Sequence, residues 1–552
     1  MRQRRRQMLG WALVALLVWL IVYPLTLVLL ESVRGADGWT TEFFRQFASR
    51  KNEWSALWGS LWISAASVFL AGTIGIPLAF LFARFDFPGR RILSGLVALP
   101  AVLPPLVGVI AFLFLYGESG FVSHLVRAVF RLDRPPWRLE GAGAILLVHA
   151  YSMYVYFYLF TRAGLARVDG SLLEAAASLG AGRWRTTREV VLPLLRPALT
   201  GAALLTFMTS LASFSAPYIF GGGFRVMTTQ IVSTRLNGDY SLAMVETAAL
   251  AALALIGFWV FGRGDRGDVL VATAKGAAPI ARRFSSRWTR ALTGTAAWVL
   301  AVVLLLPHLT LVLVSFVPVG TWTIEAIPPE YSVQNYVALV REPERLRPLL
   351  NSLGMATVAT LAAVALALAA GILIVRQRVR ARGVIETLLA LPWAVPGTVF
   401  AIAIATAFSV SHPWAGRFLL VGTFWILPLA YLVRSLPITG RGIVAGFRQL
   451  DPSLEEAAAT LGAGAWRTLV RVTLPLLRPA LAAAATLAFV TALGDFVTSI
   501  VLYTYDTRPI SLEILASLRQ SDVGVAAAYG VFLMLASAVV FAVGGERREV
   551  GA

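Results

Sequence analysis

Twelve segments of this chain are apolar for about 20 residues or more, and that limits its fold more than any other feature. At 1.5 Å per residue, such a helix matches the roughly 30 Å hydrocarbon core of a bilayer. The segments are 9–30, 57–83, 94–116, 142–162, 199–220, 242–262, 292–317, 350–375, 384–409, 415–437, 480–502 and 524–544. Residues are 58% apolar and 14% charged, against about 45–50% and 25% in a soluble domain. A soluble protein with a large core does not explain so many long runs. The expectation is an all-α membrane protein with twelve transmembrane helices.

The N-terminus, MRQRRRQ, is basic and leads into an apolar stretch too long for a secretion signal, with no small-residue cleavage site after it. It reads as an uncleaved first span. The net charge is +19; in a soluble chain this suggests nucleic acid, but here arginine gathered in cytoplasmic loops explains it, so no nucleic-acid partner is expected. With no cysteine there are no disulfides or thiolate sites. His124, His149, His308 and His412 show no ligand spacing, and no metal site is expected.

The loops give an orientation. With the N-terminus inside, the cytoplasmic loops carry Arg84, Arg90 and Arg91, then Arg162 to Arg196, then seven Lys or Arg between Arg263 and Arg290. The second half continues with Arg376 to Arg382 and Arg434 to Arg478, and the tail adds Arg547 and Arg548. Outer loops hold Arg127, Arg131, Arg134 and Arg138, mostly with acids nearby. The bias places both termini in the cytoplasm.

The chain also repeats itself. Residues 174–199 (EAAASLGAGRWRTTREVVLPLLRPAL) and 456–481 (EAAATLGAGAWRTLVRVTLPLLRPAL) are identical at 20 of 26 positions without a gap. GSLWISAASV (59–68) pairs with NSLGMATVAT (351–360), and ALPAVLPPLVGVI (98–110) with ALPWAVPGTVFAI (390–402). The spans divide six and six, giving a first repeat over 1–262, a cytoplasmic linker over 263–291 and a second repeat over 292–552. An even number of spans per half makes the repeats parallel. A polar stretch used twice suggests one surface built for two copies of one partner.

Within it, Asp169 or Ser171 can cap a helix, and Ser171 with Glu174 fits a capping box; Ser453 and Glu456 repeat it. Gly180 and Gly462 can end the helix in the left-handed conformation. A helix of about two turns needs packing to persist, and Leu173 with Ala177, and Leu454 with Ala458, offer the faces. Trp184 and Trp466 suit a membrane interface, and Pro193 and Pro475 are expected to interrupt the helix before the next span.

The spacing Glu174-Ala175-Ala176, three residues, Gly180, nine residues, Val190-x-Leu192-Pro193 resembles the permease motif of bacterial ABC importers. The second copy is Glu456-Ala457-Ala458, Gly462, Val472-x-Leu474-Pro475, with valine for the usual isoleucine in both. The resemblance implies a type I ABC importer permease fold in a bacterial cytoplasmic membrane. It implies that the short helices are coupling helices, each entering a cleft on one of two cytoplasmic ATPase subunits, and that an extracytoplasmic binding protein selects the cargo. The chain has two lysines, Lys51 and Lys275, neither in a Walker A context. ATP and Mg are therefore expected on partner subunits, with no cofactor and no enzymatic site on this chain.

A secondary transporter is the competing reading. Twelve spans in two halves is also the plan of the major facilitator superfamily, and Asp86 to Arg91 partly matches its loop motif. Such a transporter needs ionisable residues in its spans, and these look nearly absent. Asp495, in the eleventh span, is the exception; Ser213 is its counterpart in the first half. Asp495 either serves the pathway or is hydrogen-bonded to a neighbouring helix. Tyr151, Tyr154, Tyr156 and Tyr158 beside His149 either pack helices or line the pathway, with Tyr154 the candidate. Fusion of both halves, the LPLLRPAL loops and the GGGF and GDF segments are similar to permeases for ferric iron and thiamine, and more loosely to those for polyamines and aminoethylphosphonate.

Overall fold

Apolar solvent leaves a backbone no partner but itself, so long runs of this composition become helices. The computed structural model describes residues 2–35, 37–263, 282–283, 286–322, 327–410 and 413–545. Most of the expected linker, His412, Arg547 and Arg548 lie outside the described residues. The main helices are α1 (Gln3–Glu31), α2 (Lys51–Arg84), α3 (Pro105–Tyr116), α4 (Gly141–Leu165), α5 (Gly170–Ser178), α6 (Arg183–Leu211) and α7 (Tyr240–Arg263). A second series follows: α8 (Arg287–Val314), α9 (Pro343–Arg376), α10 (Gly397–Ala407), α11 (Ile426–Gln449), α12 (Ser453–Thr460), α13 (Ala465–Leu493) and α14 (Val523–Gly545). Strands are confined to two-residue pieces among the described residues.

Ten described helices are long and apolar enough to span, or eleven if one bent pair counts as a span, rather than twelve. The difference lies in the third and fourth helices of the second repeat, although the third helix is interrupted in both. The run 94–116 is broken at Leu99–Val102 and restarts at Pro105. Its counterpart, Arg382–Trp393 followed by α10, bends by 107°. Pro104 and Pro105, or Pro392 and Pro396, remove the donors that would carry a helix through. The expected span 415–437 is displaced: α11 begins at Ile426 and runs to Gln449, through Arg434, Arg441 and Arg448. The apolar loop before it exposes Trp414, Phe418 and Trp425.

The residues divide into two compact units that are not the two sequence repeats. The first comprises Arg50–Gln230 and Ala252–Tyr331; the second comprises Met1–Ser49, Ile231–Ala251 and Ser332–Ala552. The opening helix of each repeat thus packs in the other's unit: α8 lies against α3, and α1 against α10 and Arg382–Ala390.

The centre of each unit is an equivalent trio, α2, α4 and α6 in the first and α9, α11 and α13 in the second. In the first, a stripe of small residues on α2 (Ser60, Ser64, Ser67, Ala71, Gly72, Gly75) is buried against α4. A side chain at Gly75 would meet the Tyr154 carbonyl at 2.4 Å, so glycine sets the approach of these backbones. In the second unit Ser352, Ala356, Ala359, Ala363 and Ala367 line α9, and Gly371 leaves room for the Phe447 ring of α11.

Pro193 and Pro475 do not interrupt their helices as expected. A π-turn ends two residues before each of Pro24, Pro193 and Pro475. Proline lacks the donor for the carbonyl four residues back, and its ring crowds that carbonyl. The wider turn accommodates both effects, so α6 and α13 continue without a break.

Candidate functional site

The repeated stretch forms the same structure twice. The Asp169 carboxylate accepts the Ser171 amide at 3.0 Å and Asp451 accepts that of Ser453 at 2.9 Å. The aspartates therefore cap these helices, and the expected capping box is not used. Hydrogen bonds from the Ser453 backbone and side chain hold the Asp451 carboxyl below its ordinary value, so this cap is ionised at neutral pH. At the other end Gly180 and Gly462 have φ of +76° and +80°. The Gly180 amide reaches the Ala177 carbonyl and the Ala181 amide that of Ala176; Gly462 and Ala463 do the same with Ala459 and Ala458. This paired pattern satisfies the last carbonyls and needs a left-handed residue at the glycine.

The inward faces differ from expectation by one residue. Leu173 and Ala176 are half-buried while Ala177 is exposed, and Leu173 packs on Leu165, Val191 and Leu195. In the second copy the inward pair is Glu455 and Ala458, and Leu454 faces out. Glu455 replaces Leu173 and is held by Arg376 at 3.0 Å and by the Thr473 hydroxyl at 2.8 Å. The means of attachment differ, yet the outward faces agree. Leu179 and Leu461 are each 88% exposed, and Trp184 and Trp466 are 75% and 76% exposed. Glu174 and Glu456 are exposed, as are Ala175 and Ala457. Among the described residues neither glutamate side chain has a hydrogen bond or ion pair. Each copy thus carries one unpaired acid and one apolar crest on a helix with no fully buried residue, a surface that no described part of the chain covers.

The pathway candidates sit at a second pair of equivalent places, where α6 and α13 end. Asp495 is buried and ion-paired to Arg434 of α11. Its carboxylate also accepts the Thr498 amide at 2.8 Å and the Thr498 hydroxyl at 3.2 Å, capping the short helix Ser499–Leu502. The Ser511 hydroxyl donates to its carbonyl at 2.7 Å. Gly397 gives the Arg434 guanidinium its space, since a side chain there would lie 2.9 Å from it. In the first unit Ser213 occupies the corresponding position. Its hydroxyl is 2.9 Å from His149 Nε2, and its carbonyl accepts from Thr228 at 2.7 Å. His149 Nδ1 lies 2.9 Å from the Ser67 hydroxyl and 3.1 Å from that of Ser210. Tyr154 is fully buried in the first unit, and its hydroxyl donates to the Val97 carbonyl at 2.5 Å, in the break before α3.

Three of these residues escaped the sequence reading. Charge alone places Arg434 in a cytoplasmic loop, although shifting α4 by the 282-residue repeat offset places a helix over it. His149 looked isolated because its serine partners are spread over more than 140 residues. Glu246 interrupts an apolar run, so buried ionisable side chains in the spans are commoner than hydropathy indicates. It is fully buried in α7 and accepts from Thr234 at 2.7 Å.

Comparison with known proteins matches the same two regions. Residues 75–266 and 363–545 each match the family described as binding-protein-dependent transport system inner membrane component. A probable ABC transporter permease protein, y4fN, of Sinorhizobium fredii is 31% identical over 89% of this chain and 86% of its own length. The ferric transport system permease protein FbpB of Actinobacillus pleuropneumoniae is 28% identical over 85% of this chain and 68% of its own. The thiamine transport system permease protein ThiP of Escherichia coli is 27% identical over 81% of this chain and 82% of its own. Both matched regions begin after the opening helix of their repeat, the helix that packs in the other unit.

Proposed function

We propose, from the fact that this chain belongs to the family of binding-protein-dependent transport system inner membrane components, that it carries ferric iron from an extracytoplasmic binding protein to the cytoplasm. The chain is a multi-pass membrane protein and a fused permease subunit of an ABC importer. The secondary-transporter reading is not retained: the family match covers both halves, and the repeated loop would have no role in it.

The observation that carries the proposed mechanism is the outward surface built identically at 170–180 and 453–462. Each copy is to receive one cytoplasmic ATPase subunit, so two per chain, with ATP and Mg held there. Both termini are to lie in the cytoplasm, and the binding protein is to meet the loops on the opposite side. Closure of the ATPase pair would act through α5 and α12, which run directly into α6 and α13, and switch the permease between inward- and outward-facing states. Asp495, Ser213 and Tyr154 would shape the pathway by holding its helix breaks, since each spends its polar group on a neighbour.

Ferric iron is favoured by the resemblance to FbpB, and thiamine is the second reading, supported by ThiP. The test is ATPase activity of this chain reconstituted in lipid with a candidate ATPase and binding protein, with ferric iron, thiamine or a polyamine on the binding protein. The expected result is stimulation by ferric iron. Stimulation by thiamine alone transfers the proposal to thiamine, and absence of any ATPase complex overturns the mechanism.

A further inference from the structure

A cleft of about 760 Å³ opens on the first unit between α2, α4, α6 and α7. Val68, Gly72, Ile76, Phe157, Leu199 and Phe261 give it hydrocarbon walls. All of these lie in helices long and apolar enough to cross a membrane. Phe69, at its edge, is 70% exposed. The cleft therefore faces something apolar.

Its single charge is Arg196 of α6. Arg196 is exposed, and among the described residues it has no ion pair or hydrogen bond. A guanidinium in the largely apolar stretch of α6 after Glu189 must find an anion or reach the headgroup layer with its long stem. The occupant that fits is amphipathic, with a hydrocarbon chain for the cleft and an anionic oxygen group for the planar fork of Arg196. Guanidinium binds phosphate oxygens in pairs. A zwitterionic headgroup brings its own cation, whereas an anionic one retains a net attraction to the arginine.

The second repeat differs at one wall position. Arg478 stands where Arg196 does within LPLLRPAL. However, in the aligned repeat segments Val364 replaces Gly72. Val364 is among the residues packed on the cluster of Ala367, Ile443 and Leu477, so the second unit carries a side chain where Gly72 has none.

We propose that the cleft is a binding site for one anionic phospholipid, with an acyl chain along the walls and its phosphodiester on Arg196. The site rests on the membrane location of the chain and is independent of the cargo.

The test is native mass spectrometry of the purified full chain, titrated with phosphatidylglycerol or phosphatidylcholine of identical acyl chains. Phosphatidylglycerol is expected to give the first adduct at about fivefold lower concentration, the usual gain for one basic residue near an anionic headgroup. Arg196→Gln should abolish that preference and Arg478→Gln should preserve it. Thr73→Trp, placed at an exposed position in the cleft, should remove the first adduct of both lipids. Equal binding of the two lipids by the unmodified chain overturns the site. So does an equal loss in the two arginine variants, which would mean general attraction to a basic surface. Displacement of phosphatidylglycerol by inorganic phosphate alone would show a headgroup-only site and also contradict the proposal.

Discussion

Valine at both Gly180 and Gly462 is expected to lower ATP-driven uptake by about tenfold or more while leaving the chain inserted and folded. Both glycines have φ near +80°, and a side chain there meets nothing within 4 Å. The effect is therefore one of backbone conformation and involves no collision. A left-handed residue with a β-carbon costs about 1–2 kcal/mol, and β-branching stiffens it further. Each such penalty shifts a local equilibrium by a factor of about 5–30. Helices of eight and nine residues cannot absorb it, because they are too short to stand without their caps and packing. Asparagine, which tolerates this conformation, should retain most of the transport at the same two sites. Normal uptake by the double valine variant, at equal membrane abundance, would refute the assignment of these helices.

Asp495→Ala should destabilise the protein by about 3–5 kcal/mol, the usual result of removing one partner of a buried ion pair. Its carboxylate is almost completely buried, and Arg434 is 27% exposed, so partial access to water places the value at the lower end. The same change uncaps Ser499–Leu502. Replacing both charges, as Arg434→Met with Asp495→Leu, should recover most of the loss, because an apolar pair leaves no stranded charge. Thermal unfolding in detergent measures both. An unchanged midpoint for Asp495→Ala would mean that the pair does not hold the break. The first unit makes the same junction with Ser213 and His149 and no formal ion pair, so Ser213→Ala should cost much less.

What the sequence could reveal depended on whether a signal was local. The short helix, its glycine cap and its exposed crest are written in adjacent residues and repeated, so the EAA stretches could be read directly. The register of α11 could not be read from hydropathy. The apolar run 415–425 is a loop, and the helix continues through Arg434 because Asp495, 61 residues later, neutralises it. Apolarity reports what a segment can bury, whereas a distant partner decides where a charge can enter. The prolines misled for a related reason: a π-turn satisfies the geometry around Pro193 and Pro475 without leaving a mark in the composition. The exchange of opening helices between units is likewise set by packing between distant segments, α8 with α3 and α1 with α10.

The proposed mechanism requires one chain to offer the same docking surface twice. It is tested most directly by the mass of the complex with its ATPase, measured by native mass spectrometry for the unmodified chain and for aspartate at the two crest leucines. Leu179 and Leu461 are 88% exposed, so Leu179→Asp and Leu461→Asp leave the fold alone and place a charge where a partner must bury an apolar group. Two ATPase subunits are expected on the unmodified chain, one on either single variant and none on the double variant. Two subunits retained by the double variant, or a single subunit on the unmodified chain, would contradict it.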